Sequence, residues 1–168
     1  MVGARAALAA AKDLATGLSE REISHINYFD LAFAGQTNAA IDALYAHLRA
    51  CPRDALVLAT AANPNGLIGA SGRIGQKHQI AALMDSLAPH YGDDFWFLAH
   101  HAMALSEDGQ LAPARTKIER SVAANPNNAH GAHGFAHVWY ESGELDMART
   151  YLFSWLSTYP REGFFMAI

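Results

Sequence analysis

The chain of 168 residues contains one cysteine and few charged side chains. Cys51 has no second cysteine to pair with, so an internal disulfide and a cysteine-cluster zinc site are both excluded. A lone thiol is typical of proteins in a reducing cytosol, and we expect a cytoplasmic location. Charged residues make up 17% of the chain and apolar residues 51%, against roughly 25% charged in typical soluble domains. That balance indicates a folded chain with a sizeable core.

The sequence also lacks an excess of positive charge. It has 16 acidic side chains against 12 basic ones, which gives a net charge of −4. No basic surplus is present to neutralise phosphate groups. Nucleic acid and anionic membrane surfaces are therefore not expected as partners.

No stretch of the sequence predicts a membrane span. Residues 55–72 and 121–140 lack Asp, Glu, Lys and Arg, but an Asn-Pro pair breaks each run. A span needs about 20 predominantly apolar residues. The uncharged stretch at residues 6–11 is shorter than the roughly 7–15 apolar residues of a signal-peptide core. We expect residues 1–18 to form an N-terminal helix of a cytosolic protein.

What the sequence does contain is a repeated pattern. Four prolines recur at spacings of 37, 37 and 34 residues, Pro89 being the second of them. Before each of the other three prolines, a glycine lies 17 residues upstream, an alanine lies 12 residues upstream and a large aliphatic residue lies 8 residues upstream. The three sets are Gly35, Ala40 and Leu44 before Pro52; Gly109, Ala114 and Ile118 before Pro126; and Gly143, Ala148 and Leu152 before Pro160.

Each repeated position suits a pair of antiparallel helices. Glycine adopts the left-handed backbone of a tight turn at low cost. Alanine lets the second helix approach the first closely, and the aliphatic residue one turn later fills the space between them. Proline cannot continue a helix and so separates the units. A helix–turn–helix unit with a period of about 34 residues resembles the tetratricopeptide repeat, or TPR.

This register predicts an all-α, TPR-like α-solenoid, a single domain over residues 1–168. We expect about four helix–turn–helix repeats in a right-handed superhelical array. Glycines between residues 66 and 75 predict a break in the first helix of the second repeat. The predicted repeats cover residues 21–53, 54–91, 92–127 and 128–161.

Residues 162–168 look like the start of a further helix. The segment is apolar and includes Phe164 and Phe165, whereas the terminal helix of a repeat array usually has a polar outer face. An apolar end is typical of a partial chain or of an end that another subunit covers. We therefore expect that a homo-oligomer would form through this end.

Several stretches resemble one family of TPR proteins. They read SEREISH at 19–25, AGQ at 34–36, CPRDAL at 51–56, AANPNN at 123–128 and AHGFAHV at 132–138. Over roughly residues 18–168 the chain resembles the tetratricopeptide repeat protein 38 family. The resemblance implies an α-solenoid and no settled reaction. Members usually carry histidine and aromatic residues after the first proline, where this chain reads TAANPN at 60–65.

Histidine is frequent, with nine residues in the chain. His130, His133 and His137 are spaced i, i+3, i+7 and would lie within about 60° of one another on a helix. In TPR proteins these positions of the first helix of each repeat line the concave groove. We predict a groove lined by aromatic and histidine side chains, with His25, Phe29, Trp96, Met103, His130, His133, His137, Tyr140 and Glu141 as contacts.

The predicted groove carries almost no Lys or Arg. It therefore does not suit an acidic peptide terminus, which basic side chains would have to hold. A protein or peptide segment with apolar anchors fits better, and a small molecule is a further candidate. We predict a non-enzymatic scaffold that needs no cofactor.

Other interpretations of the histidine stripe stay open. His133 and His137, four residues apart on one helix face, could chelate a divalent metal, and Glu141 continues that face by one turn. Gly134 stands where a zinc-peptidase helix would carry its glutamate, which excludes that class by motif. The alternative function is a metal-dependent or histidine-assisted enzyme, or a small-molecule binder, although no motif supplies a nucleophile. The imidazoles could also simply pack within the solenoid.

Overall fold

The computed structural model describes residues 2–160, without the side chain of Val2. Within that range every regular element is helical, which confirms the all-α prediction. The helices are α1 (Val2–Asp13), α2 (Glu20–Phe33), α3 (Thr37–Ala50), α4 (Ala55–Ala61), α5 (Gln76–Tyr91), α6 (Phe95–Glu107), α7 (Leu111–Ala124), α8 (Ala129–Glu141) and α9 (Leu145–Thr158), with a 3-10 turn at Gly69–Ser71.

The chain divides into two compact units, Met1–Gln76 and Lys77–Ile168. In the first unit α2 packs on α3, and in the second α6 packs on α7 and α8 packs on α9. These pairs fall within the first, third and fourth predicted repeats. The prediction of a single domain stays a prediction.

Helix α2 begins at Ser19-Glu20-Arg21-Glu22, whose S-x-x-E form predicts a capping box and hence a helix start. The Ser19 side chain accepts a hydrogen bond from the Glu22 backbone N–H, and the Glu22 carboxylate accepts one from the Ser19 N–H at 2.8 Å. This reciprocal arrangement satisfies two donors that a helix N-terminus otherwise leaves free. An ion pair of 2.7 Å between Lys12 and Asp30 joins α1 to α2.

The repeated alanine and aliphatic positions lie in the cores of the two units. Ala40 and Leu44 on α3 have no exposed surface, and neither do Ala114 and Ile118 on α7. The small alanine permits close helix approach, and the larger side chain fills the remaining gap. The turns before α7 and α9 contain Gly109 and Gly143, whose φ values of 81° and 79° are left-handed. In the third set, on α9, Ala148 is buried but Leu152 is half-buried, so the predicted roles are observed for the first two sets and in part for the third.

The first helix of the second predicted repeat is broken, as expected. Helix α4 has seven residues and ends at Ala61, and the chain then runs through irregular backbone to α5. At Gly69 a Cβ atom would lie 2.2 Å from the Pro64 carbonyl oxygen. Only glycine allows the chain to pass that close to its own backbone.

The position of Pro89 differs from the prediction. The sequence pattern places this proline after its helix, but it lies inside the last turn of α5, which continues to Tyr91. A proline in the final turn costs one backbone hydrogen bond, and Gly92, with φ of 58°, then ends the helix.

Two further expectations concern the chain ends. The predicted helix at residues 162–168 lies outside the described residues. Among residues 2–160, no helix combines the length and the apolar character needed to cross a membrane.

A pair of leucines in the first unit tests the repeat register. Leu44 occupies the repeated aliphatic position and has no exposed surface, whereas Leu56 on α4 is 60% exposed. We expect Leu44→Ala to lower the free energy of unfolding by about 2–5 kcal/mol, because it leaves a cavity between α2 and α3. Leu56→Ala should cost less than about 1 kcal/mol. Urea denaturation followed by circular dichroism measures both, and equal losses would contradict the assigned register.

Candidate functional site

Histidines gather at two places, one in each unit. The first is a row of rings on α6 and α8, which we call the histidine row; it consists of Trp96, His100, His130, His133 and His137. The second joins α2, α3 and the start of α4, and we call it the Asp54 cluster; it consists of His25, His47 and Asp54.

The histidine row is continuous from one helix pair to the next. Trp96 and His100, one turn apart on α6, have ring centroids 4.5 Å apart, and His100 lies 4.3 Å from His130 on α8. Along α8 the centroid distances are 6.4 Å from His130 to His133 and 6.2 Å from there to His137. The i, i+3, i+7 spacing thus aligns the three imidazoles, and α6 extends the line.

Small residues beside the histidines bring α8 close to α7. Gly131, Ala132 and Gly134 are buried, and a Cβ at Gly134 would lie 2.9 Å from the Ile118 side chain, so only small residues permit this approach. Asn128 caps α8 by accepting a hydrogen bond from the His130 N–H at 3.2 Å. The three histidines share one side of the helix because of their i, i+3, i+7 spacing.

Three imidazoles of the row, those of His100, His130 and His133, favour the neutral form. Burial, assisted by the neighbouring His130, lowers the pKa of His100 to about 4. Burial and an adjacent histidine likewise lower the pKa of His130 and of His133. Like charges on neighbouring rings would repel one another. At neutral pH these three rings are aromatic and polar but uncharged.

One end of the row meets a small group of charges. His137 Nε2 lies 3.4 Å from Glu107 Oε1, and Lys77 Nζ lies 2.8 Å from Glu107 Oε2. The hydrogen bond to Glu107 raises the pKa of Lys77, and the charge of Glu141 adds to the effect. His137 Nδ1 is buried and has no hydrogen-bond partner among residues 2–160.

The other predicted contacts of this unit surround the row. Met103 on α6 is half-buried, while Tyr140 on α8 is 59% exposed. Tyr140 therefore presents a large aromatic surface to solvent. In the first unit, Phe29 lies against His25 at a centroid distance of 5.1 Å. The structure thus brings Trp96 and the three stripe histidines together, and it draws His25 into a different cluster.

The Asp54 cluster is built around one carboxylate oxygen. Asp54 caps α4, its Oδ1 accepting a hydrogen bond from the Val57 N–H at 3.3 Å. Its Oδ2 lies 2.8 Å from His25 Nδ1, 3.1 Å from His47 Nε2 and 3.3 Å from Arg21 Nη2. Burial alone would raise the pKa of Asp54, but these hydrogen bonds lower it to about 2. The carboxylate is therefore ionised at neutral pH.

Sequence analysis missed two of the three members of this cluster. His47 is fully buried, and its Nδ1 lies 2.7 Å from Ser24 Oγ. Asp54 appears in the sequence analysis only within the stretch CPRDAL at 51–56. No standard ligand motif links positions 25, 47 and 54, so their meeting depends on how three helices pack.

The two clusters differ in how closely their donor atoms converge. Among residues 2–160, His25, His47 and Asp54 form a group of three whose ligand atoms all lie within 4.8 Å of one another. His133 and His137 are not part of such a group in the described chain. The predicted metal site at His133 and His137 stays a prediction.

The fold is shared with solved structures of MamA, a TPR-containing protein. The chain matches MamA MSR-1 with a TM-score of 0.61 and 12% identity, over 92% of this chain and 86% of that one. It matches MamA AMB-1 with a TM-score of 0.64 and 12% identity, over 92% and 88%. No protein-family model and no curated protein matches the sequence. The chain therefore has a TPR-type helical-repeat fold, and at this identity the likeness extends to the fold alone.

The low pKa of His100 predicts a pH-dependent stability. An unfolded histidine titrates near pH 6.5 and His100 near 4, so between these values the unfolded chain binds a proton that the folded chain does not. Stability should therefore fall as the pH is lowered through this window. When the pH is lowered from 7.5 to 5.0, we expect the free energy of unfolding to fall by roughly 1–2 kcal/mol more in the wild type than in His100→Gln. Urea melts at both pH values measure this, and identical losses would contradict it.

Proposed function

We propose that this chain is a non-enzymatic TPR-type scaffold that binds a protein or peptide segment in a groove along α6 and α8. The observation that supports this most directly is the histidine row, because it is continuous across two helix pairs. An extended or helical segment lying across both helices would meet rings along its length. Function attaches to this face rather than to the fold, which many scaffolds share.

The chemistry of the row indicates what kind of segment would bind. Neutral imidazoles offer flat apolar faces and hydrogen-bonding edges, and Trp96 and Tyr140 provide large aromatic anchors. A few such anchors usually carry most of the binding energy of an interface. Glu107, Lys77 and Glu141 together leave a single negative charge at one end of the row. We therefore expect a segment with aromatic or aliphatic anchors and little net charge.

Three finer expectations accompany this proposal. Membership of the tetratricopeptide repeat protein 38 family, suggested by the sequence stretches, is one. A cytoplasmic location is another, and assembly into a homo-oligomer through residues 162–168 is the third. Each stays a prediction.

The alternative function is a metal-dependent or histidine-assisted enzyme, or a small-molecule binder, that uses His130, His133 and His137. The observation in its favour is the contact of 3.4 Å between His137 and Glu107, which places a carboxylate beside an imidazole. Elemental analysis of untagged protein tests it. A near-stoichiometric metal lost in His133→Ala/His137→Ala would favour this alternative.

Alanine substitution of the two aromatic anchors tests the scaffold proposal. Peptides selected on the wild-type protein from a random library, labelled with a fluorophore, provide the ligand. We expect Trp96→Ala and Tyr140→Ala each to raise Kd by about tenfold or more in fluorescence anisotropy, because each removes a large contact surface. Circular dichroism should show unchanged helicity.

Phe153→Ala is the matched control for these variants. Phe153 is an aromatic residue on α9 that is 66% exposed and outside the histidine row. Its loss should leave Kd within about twofold of the wild type. If all three variants bind the selected peptides equally well, the groove along α6 and α8 is not the binding face.

A further inference from the structure

Three potential metal ligands from three segments of the first unit converge in the Asp54 cluster. His25 Nδ1 comes from α2, His47 Nε2 from α3, and Asp54 Oδ2 from the residue that caps α4. Two imidazole nitrogens and one carboxylate oxygen form a donor set that suits Zn²⁺ and related divalent ions. A three-residue set also leaves a coordination position open for water or a ligand.

The spacing of these atoms is close to what a bound ion requires. Ligand atoms about 2.1 Å from a tetrahedral Zn²⁺ lie roughly 3.4 Å from one another. The two nitrogens lie 2.8 Å and 3.1 Å from Asp54 Oδ2. All three ligand atoms lie within 4.8 Å of one another, so movements on the order of 1 Å would bring them to the spacing that an ion requires. The half-buried side chain of His25 can supply such a movement.

A hydrogen bond from outside the cluster orients His47. Ser24 Oγ lies 2.7 Å from His47 Nδ1 and also 3.0 Å from the Arg21 carbonyl oxygen, which can only accept. When the Ser24 hydroxyl donates to that carbonyl, His47 Nδ1 must donate to Ser24. Without an ion, His47 Nε2–H donates to the ionised Asp54 Oδ2. An ion that takes the place of this proton would leave the Nε2 lone pair free to coordinate it, while Nδ1–H donates to Ser24. This is the tautomer that a metal ligand needs, held by the kind of partner that usually supports one.

Asp54 is held in the same way. Its Oδ1 accepts from the Val57 N–H, so Oδ2 remains directed at the two histidines. The side chain is 3% exposed. Arg21 lies 3.3 Å from Oδ2 as its cationic neighbour, and a divalent cation at the same oxygen would take over that role.

The cluster is accessible from one side. His25 borders a largely apolar cleft of about 370 Å³ between α1 and α2, whose other walls include Leu14, Leu18 and Ile26. Arg21 also lines this cleft, and its guanidinium, 63% exposed, contacts Asp54 at 3.3 Å. This cation would compete with a metal, but because its side chain is exposed it can move aside.

We propose that His25, His47 and Asp54 bind a divalent transition-metal ion, with Zn²⁺ the ion that best fits the donor set. Ser24 acts as a positioning residue for His47. The ion would tie α2, α3 and α4 together, in the unit that does not carry the histidine row. The proposal goes beyond the scaffold function and does not depend on it.

Zinc titration of the untagged, chelator-treated full chain tests this site. We expect calorimetry to show one Zn²⁺ per chain, and Tm to rise by roughly 5–10 °C at a hundredfold excess of Zn²⁺ over its Kd. His25→Gln and Asp54→Asn should each weaken binding by about a hundredfold or more, since each loses a ligand or its charge. Asn still caps a helix, and His25 is partly exposed, so circular dichroism should confirm that both variants fold.

Two control variants test whether zinc binds at the Asp54 cluster and not at other histidines. His133→Ala/His137→Ala and His78→Gln remove histidines of the second unit and should leave zinc affinity unchanged. Binding lost in the double variant but kept in His25→Gln would overturn the proposal in favour of the stripe. No zinc binding by the wild type at micromolar concentration would overturn it outright.

Two substitutions beside the ligands probe the geometry itself. Arg21→Ala removes the competing cation and should tighten zinc binding, whereas Ser24→Ala frees His47 and should weaken it by roughly 10–100-fold. With Co²⁺ as the probe, the wild type should give the visible absorption of a tetrahedral site, and Ser24→Ala should alter that spectrum. If neither substitution changes affinity or spectrum, the ion binds elsewhere and the proposal fails.

Discussion

The close approach of the two helices within each pair is the constraint on which the rest of this structure depends. Ala40 and Ala114 have no exposed surface, and larger side chains at these positions would hold the two helices apart. Leu44 and Ile118, one turn later, fill the remaining space between the helices. The same need for close packing requires small residues on α8, where a Cβ at Gly134 would lie 2.9 Å from Ile118. The histidine row crosses from α6 to α8 because these two helices pack together.

The two histidine clusters behave differently because of where the carboxylates lie. Glu107 lies at the His137 end of the histidine row, and burial together with repulsion between neighbouring rings lowers the pKa of His100, His130 and His133. In the Asp54 cluster a buried carboxylate lies between two imidazoles and stays ionised. The first environment suits neutral, aromatic recognition of a segment. The second suits a cation.

The features that could be predicted from the sequence are those set by local patterns. The spacing of glycine, alanine and proline placed the helix pairs, the Ser19–Glu22 pair identified a helix start, and the i, i+3, i+7 spacing aligned the stripe histidines. The Asp54 cluster was not predictable, because it joins residues from three segments whose packing angles no short motif specifies. Pro89 was placed after its helix, since the rule that proline ends helices does not say how many residues follow it.

A nuclear magnetic resonance titration tests most directly whether the histidine row is the binding face. Imidazole and indole signals of isotope-labelled protein can be followed while a peptide selected on the wild type is added. The account predicts that the signals of Trp96, His130 and His133 shift with the fraction bound while those of His47 stay in place. Shifts confined to His25 and His47, with the row unchanged, would contradict it.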